Sequence, residues 1–488
     1  MTAATLPRLA LAALLLAGTA MPAAAETLQE ALAAAYRDNP TLTAARAGLK
    51  ATDENVDIAK SNGRPTANIT SQYSQTAWQN VVSPFTADKS LTTTLRASVP
   101  IYQGGQALAN IKGAEKRVEA GEFDLKSTEL SVFSQVVAAY MDVIRTDAIT
   151  GLSQKNVDVL EVNLKYTRDR FEVGDLTRTD VAQSEARLAL ARSDLKTAQS
   201  QLIAARETYI QVVGHAPVDL QPPPPLPGLP DTPDNAVDIA LANNPDLASA
   251  RKSKDASTYA VRAAQGQRLP TVSVFTQGQH LTYLGSAPDF PGLPTGDQES
   301  VAIGAQLTLP LYQGGAPGAR VRQSKAQEEQ AIEKVTSVER NVVAQTRSLY
   351  SSWQANNEVI ASNKVAVDAN SLSLQGVRAE NTVGTRTILD ILNAEQEEFS
   401  SQVQLVTAQR NAYVAGFSLL AAMGKASAAD LNLDAGPLYD PSVYYKKVRN
   451  NWNDWSDGPN PKPISSSTVD SPVQNATVSG PIDSIGTP

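Results

Sequence analysis

The chain has 488 residues, a formal net charge of −8, two histidines and no cysteine. The lack of cysteine excludes disulfides, thiolate metal sites and a lipid anchor on an N-terminal cysteine. The acidic balance argues against a nucleic-acid partner, which needs a basic face.

Residues 1–25 read as a secretory signal peptide: Arg8, an apolar run over 9–17, then Pro22-Ala23-Ala24-Ala25 ahead of Glu26. The run is too short to anchor in a bilayer as a helix, and no other stretch approaches a transmembrane helix. A membrane-embedded form would therefore have to be a closed β-barrel, the other structure that satisfies every backbone group in lipid.

The remainder is one unit written twice. Val99-Pro100-Ile101-Tyr102-Gln103-Gly104-Gly105 returns as Leu309-Pro310-Leu311-Tyr312-Gln313-Gly314-Gly315, 210 positions later (312 − 102). Val173-Gly174 returns as Val383-Gly384 at the same offset (384 − 174), and Asn39-Pro40 as Asn244-Pro245 at 205 (244 − 39). Such self-similarity makes the chain a repeat protein first, with copies over 26–216 and 235–436.

In the first copy, residues 27–37 carry Leu28, Ala31, Leu32 and Ala35 at helical spacing. Asn39-Pro40 breaks that helix, and a second follows over about 41–61. The second copy predicts helices over 236–243 and 247–265. Arg64-Pro65 and Leu269-Pro270 end the longer ones, because proline disfavours helix in the residue before it.

Strands are predicted next, over about 67–78 and 90–101, then 271–284 and 300–311. Leu91, Leu95, Ala97, Val99 and Ile101 alternate with Thr92, Thr94, Arg96, Ser98 and Pro100; Val301, Ile303, Ala305, Leu307 and Leu309 alternate with Ala302, Gly304, Gln306 and Thr308. One apolar and one small or polar face is the pattern of a strand between lipid and a lumen. Trp78 fits an interfacial aromatic girdle. The hairpin loops, 79–89 and 285–299, are polar or rich in Gly and Pro.

Past each Tyr-Gln-Gly-Gly the period becomes helical. Long helices are predicted over about 106–171 and 177–213, then 318–381 and 387–423, with apolar seams such as Phe133, Val136, Val137, Tyr140, Val143 and Ile144. At ~1.5 Å per residue the outgoing helices are roughly 100 Å long, so they span rather than fold into a globule. Pro100, Gly104, Gly105 and Pro310, Gly314, Gly315 mark the strand-to-helix joints. A stiff proline-rich linker joins the copies over 217–234. The tail, 437–488, is rich in Pro and Ser and is expected to be largely disordered, with Tyr439, Tyr444, Tyr445, Trp452 and Trp455 able to dock.

Four strands cannot close a barrel, and an open sheet edge is not viable in lipid. The barrel must be shared between chains: two copies give eight strands and a filled interior, three give twelve and an open lumen.

The leader, the paired hairpins, Pro-x-Tyr-Gln-Gly-Gly and the run Val-Gly-Thr-Arg-Thr-Ile-Leu-Asp-Ile-Leu-Asn over 383–393 resemble the TolC family of outer-membrane export channels. The resemblance covers about 26–436. It implies a mainly α fold with a membrane β-barrel portion: a homotrimer whose twelve-stranded barrel sits in outer-membrane lipid and continues into an α-helical periplasmic tunnel. It also implies a periplasmic adaptor (membrane fusion) protein and an inner-membrane ABC or proton-driven transporter as partners. The implied task is passive conduction in type I secretion, efflux or both.

The same resemblance implies a pore constriction ringed by Asp390, with Asn393 where the family often carries a second aspartate. It implies that Arg386 bonds toward Thr179 and Asp180 to hold the tunnel shut, with Asn381 at a position of a locking tyrosine. Three converging carboxylates would favour cations. On the residues alone, Thr177 with Asp180 and Thr387 with Asp390 read equally well as helix-capping arrangements.

Enzymatic readings find little. His215 and His280 have no convincing partner for a metal or a triad, and the glycine pairs lack the lysine of a phosphate loop. No enzyme activity and no cofactor is expected. A periplasmic coiled-coil adaptor or scaffold would share the long helical hairpins, though not two matched strand hairpins. An outer-membrane enzyme with a filled eight-stranded barrel lacks a catalytic constellation.

Overall fold

The computed structural model describes residues 25–78, 89–284 and 297–478. The signal peptide, apart from Ala25, and most of both hairpin loops lie outside the described residues. The first copy runs α1 (Leu28–Asp38), α2 (Pro40–Ser61), β1 (Thr66–Gln75), β2 (Lys89–Gln103), α3 (Gln106–Glu172) and α4 (Arg178–Val213). The second repeats the order as α5 (Pro233–Asn243), α6 (Pro245–Gly266), β3 (Thr271–Tyr283), β4 (Gln298–Thr308), α7 (Ala316–Thr382) and α8 (Ile388–Ala422). A short α9 (Pro441–Val448) follows. No helix among the described residues is long and apolar enough to cross a membrane.

The Asn-Pro pairs are staples as well as breaks. Asn39 Oδ1 accepts from the Thr41 and Leu42 amides at 2.9 and 3.3 Å, while its Nδ2 donates to the Val212 carbonyl near the end of α4 at 2.8 Å. Asn244 does the same in the second copy, accepting from the Leu247 amide at 3.1 Å and donating to the Ala422 carbonyl of α8 at 2.9 Å. The prolines stand in the first helical turn, where a missing N–H leaves nothing unsatisfied. Each pair of short helices is thus tied to the end of its own return helix.

The strands form one antiparallel sheet in the order β1-β2-β3-β4. Its register obeys the sequence repeat. Ala67 faces Ala97 and Val272 faces Leu307, at offsets of 205 and 210 (272 − 67, 307 − 97). The copies meet where β2 pairs with β3, Ala97 facing Thr276. Because side chains alternate between faces, Ile69, Leu95, Val274, Val301, Ile303 and Leu307 share one exposed apolar face. Asn68, Thr70, Thr94, Arg96, Gln277 and Gln306 share the other.

The ends of the strands depart from expectation. β1 stops at Gln75, and β4 stops at Thr308, leaving Pro310 outside the sheet, whereas β2 runs on to Gln103 with Pro100 inside it. β3 supplies the reason. It pairs with Tyr102 and Gln103, and the register slips between Pro100 and Tyr102, an irregularity that tolerates a residue without an N–H. Among the described residues, β4 has no strand beyond it to hold the equivalent residues. The helix α7 starts at Ala316, earlier than expected, since Pro317 fits in its first turn.

The main core lies where α1, α3, α4 and α8 converge. Phe133, Tyr140, Tyr209 and Phe417 are fully buried there, each aromatic contributing about 1.5–3 kcal/mol by leaving water. The Tyr209 hydroxyl donates to the Glu26 carboxylate at 2.6 Å, and the Tyr140 hydroxyl lies 2.9 Å from the Glu26 carbonyl and 2.6 Å from that of Gln221. The start of the first copy and the linker are thereby fixed to the middle of α3.

The two long helices are buried very unequally. Along α3, buried residues recur from Ala109 to Thr167. Along α7, also of 67 residues, only Val321, Val342, Thr346, Tyr350, Leu374 and Asn381 are buried. α3 lies between α2 and α6; α7 packs on α8, α6 and α5, and among the described residues no helix packs extensively on its other flank.

The tail, expected to be largely disordered with its aromatic residues able to dock, has several of its described residues against the body. The Tyr439 amide donates to the Tyr36 hydroxyl at 3.0 Å, and the Tyr444 hydroxyl donates to Glu54 of α2 at 2.7 Å. Arg64 donates to the Asn451 carbonyl at 2.7 Å and stacks over Trp452. Farther along, Arg206 of α4 donates to the carbonyls of Asn475 and Thr477 at 2.8 and 2.7 Å. A segment poor in apolar residues is held because charged donors on the body take its backbone carbonyls. Trp455 stays exposed.

Candidate functional site

The far ends of the two helical hairpins are built alike. After α3, the Gly174 amide donates to the Phe171 carbonyl at 3.0 Å and the Asp175 amide to that of Arg170 at 2.9 Å. After α7, the Gly384 and Thr385 amides donate to the carbonyls of Asn381 and Glu380 at 3.0 and 3.1 Å. Each return helix opens with a capping box. The Thr177 amide and hydroxyl donate to Asp180 Oδ2 at 2.8 and 2.7 Å; the Thr387 amide and hydroxyl donate to Asp390 Oδ2, both at 2.8 Å.

Asp390 therefore has a local role already. The Thr387 amide and hydroxyl hold its carboxyl below the usual aspartate range, with a smaller contribution from Arg386. It stays ionised at neutral pH and remains half-exposed at the hairpin end.

Arg386 turns back on its own hairpin. Its Nε donates to Glu380 at 2.8 Å, and its carbonyl accepts from Asn381 Nδ2 at 2.8 Å. It does not reach Thr179, which is exposed, or Asp180, which caps α4, within the chain. Asn381 is buried and ties the turn from inside. Asn393 meets a residue that sequence reasoning did not single out: its Oδ1 accepts from Arg187 of α4 at 2.8 Å.

A second cluster was also missed. Glu395 of α8 is buried, and its two oxygens accept from Asn163 Nδ2 of α3, both at 2.7 Å, while Arg378 of α7 donates to it at 2.9 Å. One carboxylate ties three helices. The signal was available in sequence, because Ile388, Ile391, Leu392 and Glu395 form one helical stripe, and an acid in an apolar stripe calls for partners. The same pair occurs 210 residues earlier as Arg168 with Glu185 at 2.6 Å (378 − 168, 395 − 185), but there the Glu side chain is 49% exposed against 4% for Glu395.

At the strand-to-helix joints, Gly104, Gly105, Gly314 and Gly315 all have positive φ, 61, 74, 60 and 80°, a region that favours glycine. Gly104 has a second constraint, since a Cβ there would collide with the Gly266 carbonyl at the end of α6. Gly314 faces open space.

This order of hairpin, joint and long helical hairpin, twice over, has a counterpart among known proteins. The family described as Outer membrane efflux protein matches residues 27–215 and 236–425. The chain belongs to the outer membrane efflux protein family. It is 35% identical over 444 residues to the outer membrane efflux protein BepC of Brucella suis, covering 90% of this chain and 95% of that one. It is 25% identical over 431 residues to the outer membrane protein TolC of Escherichia coli, covering 85% and 86%. It is 27% identical over 361 residues to the alkaline protease secretion protein AprF of Pseudomonas aeruginosa, covering 71% and 72%. In fold it is similar to the Campylobacter jejuni CmeC outer membrane channel, with a TM-score of 0.73, 16% identity, and 88% and 90% of the chains covered. It is also similar to VceC of Vibrio cholerae, with a TM-score of 0.70, 20% identity, and 81% and 96% covered. As an outer membrane efflux protein, the chain resides in the outer membrane with its long helices in the periplasm, and acts as an efflux or secretion channel.

Proposed function

We propose that three copies close into one duct, a twelve-stranded barrel continued by a helical tunnel. The duct passively carries substrate from an adaptor and an inner-membrane transporter to the exterior. The observation that supports this is the one-sided burial of α7. By the 205 and 210 offsets, the missing neighbour of α7 is α2 of another copy, as α6 is the neighbour of α3. Gly314 is open where Gly104 packs on the end of α6, and the equivalent contact is Ser61 of another copy. Three copies fit better than two because the inner sheet face is lined by Asn, Gln, Ser and Thr, suited to water rather than to a packed interior.

In this reading the three Asp390 carboxylates ring the periplasmic end and Asn393 adds no charge. Arg386, held by Asn381 and an exposed Glu380 pair of small worth, is free to exchange that partner for Thr179 and Asp180 when neighbouring hairpins close. Extraction from outer membranes as a heat-sensitive trimer that conducts in planar bilayers is expected. A soluble periplasmic protein would favour the scaffold alternative. Comparing secreted proteins with drug sensitivity after gene deletion distinguishes secretion from efflux.

A further inference from the structure

The strands carry few charges, and these are segregated. Lys89, Arg96, His280 and Glu299 are the basic and acidic residues of the four strands. By alternation Lys89, His280 and Glu299 lie on the apolar outer face toward the hairpin ends, where His280 Nδ1 stands 3.3 Å from Glu299. Arg96 alone lies on the inner face, and no acidic residue shares that face among the described strands.

Arg96 is also held in place. Its guanidinium lies over the Phe275 ring, 5.3 Å from the centroid. Phe275 in turn lies against Gly304, where a Cβ would stand 2.8 Å from the ring's Cζ. The glycine makes room for the ring, and the ring offers a face to the cation. None of the three is repeated: the equivalents are Gln306 for Arg96, Thr70 for Phe275 and Thr94 for Gly304. The described inner face therefore carries one unrepeated cationic unit per chain.

We infer that Arg96, cradled by Phe275 and Gly304, is an anion-recognising residue of the barrel lumen that engages phosphate-like or carboxylate groups of passing solutes. The inference rests on the trimeric-channel reading. Twelve strands about 4.8 Å apart and tilted ~40° give a backbone radius of about 12 Å. An inward arginine then brings its charge to roughly 6 Å from the axis, within the ~8 Å Debye length at physiological salt. Three such groups act on the whole cross-section. Their sign is opposite to that of the proposed Asp390 ring at the other end.

The test is single-channel recording in planar bilayers with sodium tripolyphosphate on the outer side. Wild-type current is expected to fall several-fold, Arg96→Lys to retain the block, and Arg96→Gln to lose it. In the Asp390→Ala background, Arg96→Gln is also expected to shift the reversal potential toward cations. Trimers of normal heat stability on gels show that the variants are assembled. An unblocked wild type, or an equal block of assembled Arg96→Gln, overturns the inference while leaving the channel reading intact. Failure of the wild type to form any channel overturns the channel reading itself, and the inference with it.

Discussion

The repeat offsets predict which residues of separate copies face each other across the closed barrel. Within the chain, Ala97 of β2 faces Thr276 of β3. Adding 210 to the first and subtracting 205 from the second gives Leu307 of β4 facing Ser71 of β1 in a neighbouring copy. Paired residues in an antiparallel ladder have Cα atoms about 4.5–5.5 Å apart, inside the roughly 4.4–6.8 Å range of disulfides. Within one chain, β1 and β4 are three strand spacings apart, about 14 Å, too far to be bridged. The chain has no cysteine of its own. A Ser71→Cys, Leu307→Cys double variant, oxidised in membranes and run boiled without reductant, should therefore give covalent species up to three chains. Each single variant should give none. Pairing Leu307→Cys with Ile69→Cys or Tyr73→Cys moves one partner about 7 Å along the strand and should cross-link poorly. Efficient bridging only in a slipped pair, or a ladder that stops at two chains, would refute the register or the trimer respectively.

Asp390→Ala should lower cation selectivity in planar bilayers, and unchanged selectivity would rule out the carboxylate ring. Arg386→Ser should raise closed-state conductance if the residue ties neighbouring hairpins; a wild-type value would leave it with only its Glu380 contact. Arg206→Ala strips a partner from half-buried Asp147 and from the carbonyls of Asn475 and Thr477, at a cost of about 1–3 kcal/mol. Limited proteolysis should then cut the tail over 456–478 while the helical body stays intact, and unaltered tail protection would show that these contacts do not hold it. Asp53 of α2 is pushed up to about 6, chiefly by burial and then by Glu122 and Glu54. An acid with a raised folded pKa stabilises the fold while protonated, so its contribution is lost as pH rises from about 4 through 6. Asp53→Asn should flatten thermal stability over that window, and a profile unchanged by the substitution would show that Asp53 does not set it.

The architecture was legible because duplication doubles every weak signal. The Asn-Pro breaks, the alternating second strands and the Gly-Gly joints each occur twice, and a coincidence seldom repeats at fixed offsets. What was not legible came from the third dimension. The staple from Asn39 to Val212 crosses most of the first copy in sequence. In the tail, composition registers apolar content, whereas Lys60, Arg64 and Arg206 also donate to its backbone. At the hairpin ends, the capping roles of Asp180 and Asp390 followed from local spacing. The partners of Asn393 and Glu395 lie on other helices, beyond the reach of local pattern.

The two copies of one ion pair carry the case for assembly further than the strand count does. Arg168 with Glu185 and Arg378 with Glu395 occupy equivalent positions. Glu395 is buried because α3 covers it and Asn163 donates to it. Glu185 has the same neighbour on its own hairpin but, among the described residues, no helix over it. The equivalent of Asn163 is Ser373 of α7, on the helix whose flank is bare. If α7 of another copy covers α4 as α3 covers α8, one placement buries Glu185, gives Ser373 an acceptor and fills the exposed side of α7. A Glu185→Leu substitution would be nearly neutral for an isolated exposed pair. Buried in an interface, it would strip Arg168 of its partner and leave Ser373 without an acceptor, weakening assembly. Heat stability of the trimer should fall in that variant while helix content of the separated chains stays unchanged, and an unaltered trimer would place Glu185 outside the interface.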